Sequence, residues 1–186
     1  DLISPKTPTS AIGPMAMRGA KTERKMRHSW WLFCWGALFV VGCGQGPAAS
    51  DVAPLNGPWN AYESVDFELP ALDSLAQYSA QITLRNTNNY PYNNLFLIVS
   101  LTHPHGKVQT DTLEYRMAYP DGTWLGVGVG SIKDNLLSYR EAMSFEEGLG
   151  YQLSIKHALR NNGAAQGVSL LEGITEVGYQ IHELNP

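Results

Sequence analysis

Apolar and polar residues alternate with a period of two over much of this chain. In YESVDFELP, the apolar residues Val65, Phe67 and Leu69 fall on one face, and polar residues fall on the other. In QYSAQITLRN, every second residue from Tyr78 to Leu84 is apolar. This alternation is typical of antiparallel strands that turn one face to the core and the other to solvent.

Further strands follow toward the C-terminus. LFLIVSLT (95–102) is almost continuously apolar and predicts a central strand, and the turn HPHGK leads to a return strand over 108–118. Residues 132–139 are ambiguous and are compatible with one short helical turn. GYQLSIKHAL and GITEVGYQIHEL alternate again. The spacing predicts an all-β fold of about seven or eight strands, an antiparallel β-sandwich or a jelly-roll-like barrel.

A short apolar run precedes these strands. It extends from Trp30 to Val41 and follows several basic residues. Because it is shorter than the roughly 20 residues of a membrane-spanning helix, it indicates a secretory signal peptide. Its end, Val40-Val41-Gly42-Cys43, resembles the lipobox of bacterial lipoproteins. That resemblance implies that Cys43 receives a thioether-linked lipid and becomes the N-terminus; the alternative is an ordinary signal peptide with a coincidental cysteine.

These features divide the chain into three parts. Residues 1–42 are interpreted as an upstream extension plus the lipoprotein signal peptide, with Met17 or Met26 as the start. Residues 43–58 contain the lipidated cysteine and a segment rich in Gly, Pro, Ala and Ser, which predicts a flexible tether. Residues 59–186 are predicted to form a single β-sandwich domain.

Charge and cysteine content narrow the possible partners. The first 42 residues hold six of the 13 basic and two of the 17 acidic residues, so 7 basic and 15 acidic residues remain, a net charge of −8. Such a domain has no electrostatic footprint for nucleic acid, and its contact with a membrane is expected to come from the lipid. The two cysteines are Cys34 and Cys43, so the domain has no internal disulfide.

Two groups of residues are candidate chemical sites. His103, His105, Asp111 and Glu114 are zinc-type ligands. However, the histidines lie in a predicted hairpin loop, and the two carboxylates point to opposite faces of a strand. The glycine-rich segment Gly126–Gly130 lacks the helix that a phosphate-binding loop requires. It is interpreted as a strand against which Trp124 or a neighbouring strand packs closely. No metal and no cofactor is predicted.

The sequence also lacks a catalytic pattern. It contains neither G-x-S-x-G nor H-E-x-x-H, and the adjacent carboxylates Glu146 and Glu147 are expected to diverge at a turn. No catalytic residue is assigned, and the protein is predicted not to be an enzyme.

Aromatic residues are the remaining candidates for recognition. Asn86–Asn94 is a connection rich in asparagine and tyrosine, and Trp124 lies in another connection. Exposed rings beside amides can contact a protein or stack on a sugar. They can equally support their own loops. Tyr90, Tyr92 and Trp124 are therefore candidate partner-binding residues.

Four blocks in order carry a family resemblance. They are LRNTNNYPYNNLFLIV (84–99), DTLEYRMAYPDGTWLGVGVGSIKD (111–134), FEEGLGYQLSIKHALRNN (145–162) and LEGITEVGYQIHE (171–183). Together with the lipobox, they resemble the GldH family of gliding motility lipoproteins of Bacteroidetes. The chain departs from the family pattern in two places. Few aromatic residues occur at the start of the domain, and His157-Ala158 stands where the family pattern has Gln and Met.

The resemblance implies a non-catalytic envelope lipoprotein of the gliding machinery, which is linked to the type IX secretion system, acting by binding other envelope proteins. The alternative is a lipoprotein that binds glycan or peptidoglycan; a ridge of exposed aromatic rings along one sandwich face would favour it. Gly44 follows Cys43 where a retention signal would have Asp, and no acidic cluster comes after it. A lipid anchor in the outer membrane, facing the periplasm, is therefore expected.

Overall fold

The computed structural model describes residues 46–184 except 149, 162, 164 and 165. The predicted signal peptide, the lipobox and Cys43 lie outside the described residues. The ten described strands are β1 Ala49–Pro54, β2 Trp59–Asn60, β3 Val65–Leu69, β4 Gln77–Thr87, β5 Asn94–Thr102, β6 Val108–Arg116, β7 Ile132–Met143, β8 Tyr151–His157, β9 Leu170–Leu171 and β10 Ile174–Leu184.

The strands form two four-stranded antiparallel sheets, which confirms the predicted all-β fold. Sheet I has the order β1-β10-β4-β7, sheet II has the order β3-β8-β5-β6, and β2 and β9 form a short ribbon. Within the described residues, no helix is long and apolar enough to cross a membrane.

The core lies between the inner faces of the two sheets. Phe67 of sheet II meets Tyr179 of sheet I edge to face, with ring centroids 5.3 Å apart. The predicted alternation is confirmed on β4, where Ile82 and Leu84 are buried and Thr83 faces outward. The alternation also holds on β8, where the odd-numbered residues are buried, and on β10, where Val177, Tyr179 and Ile181 are buried. These strands therefore contribute every second residue to one hydrophobic cluster.

Polar side chains join the free edges of β6 and β7. The Tyr115 hydroxyl donates to the Ser138 carbonyl at 2.7 Å, and Asp111 accepts from Arg140 at 2.6 Å and from Tyr139 at 3.1 Å. Burial raises the pKa of Tyr115 to about 12, so its hydroxyl remains a donor at neutral pH. These bonds satisfy part of an edge that would otherwise be open to another strand.

Two predictions about secondary structure need correction. Ala49–Pro54, part of the predicted flexible tether, is strand β1 and pairs with β10 from Ala49↔Ile181 to Pro54↔Glu176. The ambiguous segment 132–139 is strand and not a helical turn, because it belongs to β7 and pairs with β4. In both segments the strand is stabilised by a partner that is distant in sequence, which local composition does not reveal.

His157 is a buried histidine at the end of β8. Its Nε2 lies 2.9 Å from the Trp59 carbonyl oxygen, and its Nδ1 has no hydrogen-bond partner among the described residues. An Nε2–H that donates to the carbonyl satisfies this geometry with a neutral ring. Burial lowers the pKa of His157 below its ordinary value of 6.5, although the bond to Trp59 opposes the shift.

Lowering the pH is therefore expected to destabilise the domain through His157. Because the folded-state pKa lies below the unfolded value, the unfolded chain binds the proton more tightly, and the free energy of unfolding falls as the pH drops below about 6.5. Urea denaturation from pH 7.5 to 5.5 measures this fall. His157→Gln, which keeps a donor for the Trp59 carbonyl, is the control and should lose less stability on acidification. Parallel pH profiles for the two proteins would contradict the assignment.

Candidate functional site

The asparagine and tyrosine connection is a rigid loop at one end of the sandwich. Its first turn is closed by the Tyr90 amide, which donates to the Thr87 carbonyl at 3.1 Å, and the Asn88 amide donates to the Ser131 carbonyl at 3.1 Å. At its other end, the Asn93 carbonyl accepts from the amides of Met117 and Ala118. We call residues 87–94 the Asn/Tyr loop.

Tyr90 is an internal support of this loop. Its side chain is only 2% exposed, and its hydroxyl donates to the Asn94 carbonyl at 2.7 Å. Burial raises the pKa of Tyr90, so the hydroxyl stays protonated. The structure therefore corrects the suggestion that Tyr90 contacts a partner directly, because its ring is covered.

A glycine allows another turn to approach the loop closely. Gly173 adopts φ +82°, and a Cβ on this residue would collide with the backbone of Tyr90. Its carbonyl accepts from the Thr87 amide at 2.7 Å. The β9–β10 turn is thus packed directly beneath the Asn/Tyr loop, at a distance that only glycine permits.

Tyr92 and Trp124 are both neighbours of Tyr90 and are only partly buried. The Tyr90 ring centroid is 5.9 Å from that of Tyr92 and 6.1 Å from that of Trp124. The Tyr92 hydroxyl donates to Asn161 Oδ1 at 2.8 Å, and Trp124 Nε1 donates to Asn88 Oδ1 at 3.2 Å. Each ring is held by the hydrogen bond of its polar atom and keeps part of its surface exposed for contact.

Beneath the loop, two buried asparagines join β4 to β7. Asn135 Nδ2 donates to Asn86 Oδ1 at 2.9 Å and to the Leu84 carbonyl at 3.1 Å. A Cβ on Gly126 would lie 2.6 Å from Asn135 Oδ1. The close approach predicted for the glycine-rich segment is therefore confirmed, and the neighbour is β7 rather than Trp124.

The residues considered as metal ligands face different neighbours. His105 Nε2 lies 2.9 Å from Glu146 Oε2, and His103 Nδ1 lies 3.7 Å from Glu146 Oε1. Asp111 pairs with Arg140, whereas Glu114 accepts from Asn94. Within the described part of the chain, no group of three or more such ligands could hold a metal ion. Sequence reasoning missed Glu146 as the neighbour of both histidines because it follows β7, far from them in sequence.

Aromatic rings do not form a ridge along a sheet face in the described residues. Seven of the fourteen described Phe, Trp and Tyr rings are buried and four more pack against the core. The two exposed tyrosines, Tyr62 and Tyr119, lie in separate connections. The arrangement of side chains does not favour stacking on an extended glycan, which needs several rings in line.

Residues 50–181 match the sequence model of the GldH lipoprotein family. The chain belongs to the GldH lipoprotein family. It is 46% identical over 125 residues to the gliding motility lipoprotein GldH homolog of Christiangramia forsetii, covering 67% of this chain and 77% of the relative. It is 42% identical over 147 residues to the gliding motility lipoprotein GldH of Flavobacterium johnsoniae, covering 79% of this chain and 91% of the relative.

Similarity to solved structures is low. A family GH115 4-O-methyl-α-glucuronidase gives a TM-score of 0.35 at 15% identity, over 73% of this chain and 14% of that chain. This similarity is too weak to bear on the function of a GldH-family protein. Family membership and the geometry of the loops therefore carry the functional argument.

Proposed function

We propose that this GldH-family protein is a non-catalytic envelope lipoprotein of the gliding machinery and the linked type IX secretion system. It acts by binding other envelope proteins through the Asn/Tyr loop. Relatives at 42% and 46% identity are named gliding motility lipoproteins. The observation that supports binding is that two aromatic rings are partly exposed and held in place: Tyr92 on the Asn/Tyr loop, and Trp124 on the β6–β7 connection, where it is bonded to Asn88 of the loop.

The position of the loop supports a role in recognition. The N-terminal strand enters sheet I at Ala49↔Ile181, whereas the Asn/Tyr loop follows the opposite end of the sheet at Asn86↔Ile174. The two ends are about 23 Å apart along β10 at ~3.3 Å per residue. A lipid on Cys43 in the outer membrane would therefore hold the N-terminal end near the periplasmic leaflet and present the loop away from it.

The chemistry of the two rings fits a protein interface. Tyrosine and tryptophan are enriched among residues that dominate binding energy, since a fixed ring buries a large area at little cost in conformational entropy. Binding residues commonly lie on loops that a rigid sheet positions. The loop is positioned in this way by bonds to Ser131, Asn161 and Gly173.

Replacing Tyr92 by alanine is expected to weaken association with envelope partners several-fold while the domain stays folded. The ring is partly exposed, so its loss should affect a partner more than the core. Co-purification of the tagged protein from its own envelope measures association, and a urea melt of the same variant measures stability. Tyr92→Phe is the matched control, because it keeps the ring and removes only the bond to Asn161.

Two outcomes would contradict the role of Tyr92. One is a Tyr92→Ala protein that is strongly destabilised yet still recruits its partners at low temperature, which would make the ring a support of the loop. The other is a stable Tyr92→Ala protein with unchanged co-purification.

A further inference from the structure

We propose that the outer face of sheet I is a second docking surface, for a protein segment that carries an aliphatic side chain next to a lysine or arginine. The inference rests on the proposed protein-binding function and assigns it a further surface. This outer face is the side of sheet I that points away from the core, and the glycine-rich segment beside β7 extends it.

Large aliphatic side chains are exposed on this face. Val52 of β1 is 48% exposed, and Leu136 of β7 is 62% exposed. Val127 is 80% exposed, and its antiparallel bridge to Asp134 places both side chains on the same side of the sheet. Ile132 lies two residues before Asp134 and shares this side. Apolar side chains grouped on a solvent-facing sheet indicate an interaction site.

A groove crosses the face between Val52 and Leu136. The register Val52↔Gly178, Gly178↔Thr83 and Thr83↔Leu136 forms one row across all four strands. Gly178 lets the side chains of Thr83 and Val52 close over the middle of the row, since a Cβ there would lie 2.6 Å from Thr83 Oγ1 and 2.9 Å from Val52 Cγ2. The groove lies beside them and reaches Leu136 and Arg85. The open volume is about 210 Å³, enough for one aliphatic side chain.

The charge at one end of the groove favours a lysine or arginine on the bound segment. Arg85 lies between two carboxylates, 2.7 Å from Asp134 and 2.7 Å from Glu176. One negative charge is left in excess, and the Asp134 side chain is 58% exposed. A lysine or arginine next to the inserted aliphatic side chain would complete the pairing.

The same charges disfavour a lipid surface. Proteins that lie on anionic membranes place lysine and arginine around their apolar residues. Here the exposed aliphatic residues surround a net negative group, and none of Val52, Leu136, Val127 and Ile132 is aromatic. A protein with a basic, aliphatic segment is the occupant that fits.

A cysteine placed in the face tests this proposal. The full-length lipidated chain carries Leu136→Cys in one version and Thr112→Cys, on the outer side of β6 in sheet II, in the control version. Labelling by a polyethylene glycol maleimide is timed in three settings: detergent solution, protein-free phosphatidylethanolamine–phosphatidylglycerol vesicles, and native envelope membranes. The wild-type chain gives the background from its own cysteines.

Leu136→Cys is expected to react about tenfold more slowly in native envelopes than in detergent or vesicles. This rate corresponds to a partner covering the face on about nine-tenths of the molecules, so that only the remainder reacts. Thr112→Cys should react equally in all three settings. Adding Glu176→Gln to Leu136→Cys removes the excess charge and keeps an acceptor for Arg85, so it should restore most of the labelling in envelopes.

Four results would overturn the proposal. Equal labelling of Leu136→Cys in all settings would mean that the face is open, and slowing in vesicles would mean that lipid covers it. Slowing that rises with the concentration of purified protein would indicate a second copy. If Glu176→Gln leaves the slow labelling of Leu136→Cys in envelopes unchanged, a lysine or arginine does not pair with this site. If this surface binds nothing but the proposed function is right, the co-purification that depends on Tyr92 persists. If the chain binds no envelope protein, both this co-purification and the slow labelling of Leu136→Cys are lost.

Discussion

Replacing Ile82 by alanine is expected to lower the free energy of unfolding by about 2–5 kcal/mol. Ile82 lies on the inner face of β4, has no exposed surface, and stands between Tyr179 of β10 and Leu137 of β7. Truncation removes buried carbon atoms and leaves a cavity between the sheets. Neighbours held in two paired strands can close only part of such a cavity, so both the lost burial and the cavity contribute.

The adjacent residue is the matched control. Thr83→Ala changes the outer face of the same strand and should cost ~0.5 kcal/mol or less, since Thr83 Oγ1 makes no hydrogen bond among the described residues. Urea denaturation of both variants gives the two free energies, provided that the slopes are equal. A larger loss for Thr83→Ala than for Ile82→Ala would mean that the face of β4 is assigned incorrectly.

The strands that sequence predicted best are those with a regular apolar face. On β4 and β8 each inward position is apolar or aromatic, apart from Asn86 and His157 near the ends. Period-two alternation specifies such a strand without reference to its partners. The hairpin of β5 and β6 was predicted for a different reason: the HPHGK turn, whose Gly106 adopts φ +83°, separates an almost continuously apolar run from a second run of β-forming residues.

The segments that sequence could not assign depend on distant partners. On β7 one of the inward positions is the buried Asn135, whereas Leu136 faces solvent beside the buried Leu137. The apolar pattern of β7 is therefore irregular, and only its pairing with β4 determines which of its residues face the core. The small residues of β1 give it the composition of a linker, yet its backbone pairs with β10 at all six positions. Backbone hydrogen bonds between remote segments leave little trace in local composition.

The sequence identified the Asn/Tyr loop as a candidate site but did not reveal how the loop is built. An asparagine-rich loop with two tyrosines suggested recognition, yet nothing local distinguished Tyr90 from Tyr92. The difference arises because Gly173, more than eighty residues further along the chain, packs against the Tyr90 backbone, while Tyr92 reaches only Asn161. The glycine in the last block was the one available signal, since a glycine between strands often marks a close approach.

Cys43→Ser is expected to abolish lipid attachment and to leave an exported chain that is either uncleaved or released from the membrane. The attachment requires a sulfur nucleophile, and a serine hydroxyl has far less anionic character at neutral pH than a thiol. A single acyl chain holds a protein only marginally, at roughly 0.8 kcal/mol per buried methylene, so firm anchoring depends on several chains on this one residue. Metabolic labelling with a palmitate analogue, followed by membrane fractionation, measures both effects.

Cys34→Ser is the control for Cys43→Ser, because it removes the other thiol of the chain and leaves the lipobox intact. It should keep full labelling and remain with the membrane. The domain after residue 42 has a net charge of −8, which opposes binding to an anionic leaflet, so charge cannot replace the lost lipid. Equal palmitate labelling of Cys43→Ser and wild type would place the lipid elsewhere. Labelling lost together with an unchanged membrane fraction would show that a bound envelope protein or the uncleaved leader, rather than the lipid, retains the chain at the membrane, and the size of the chain on a gel separates these two cases.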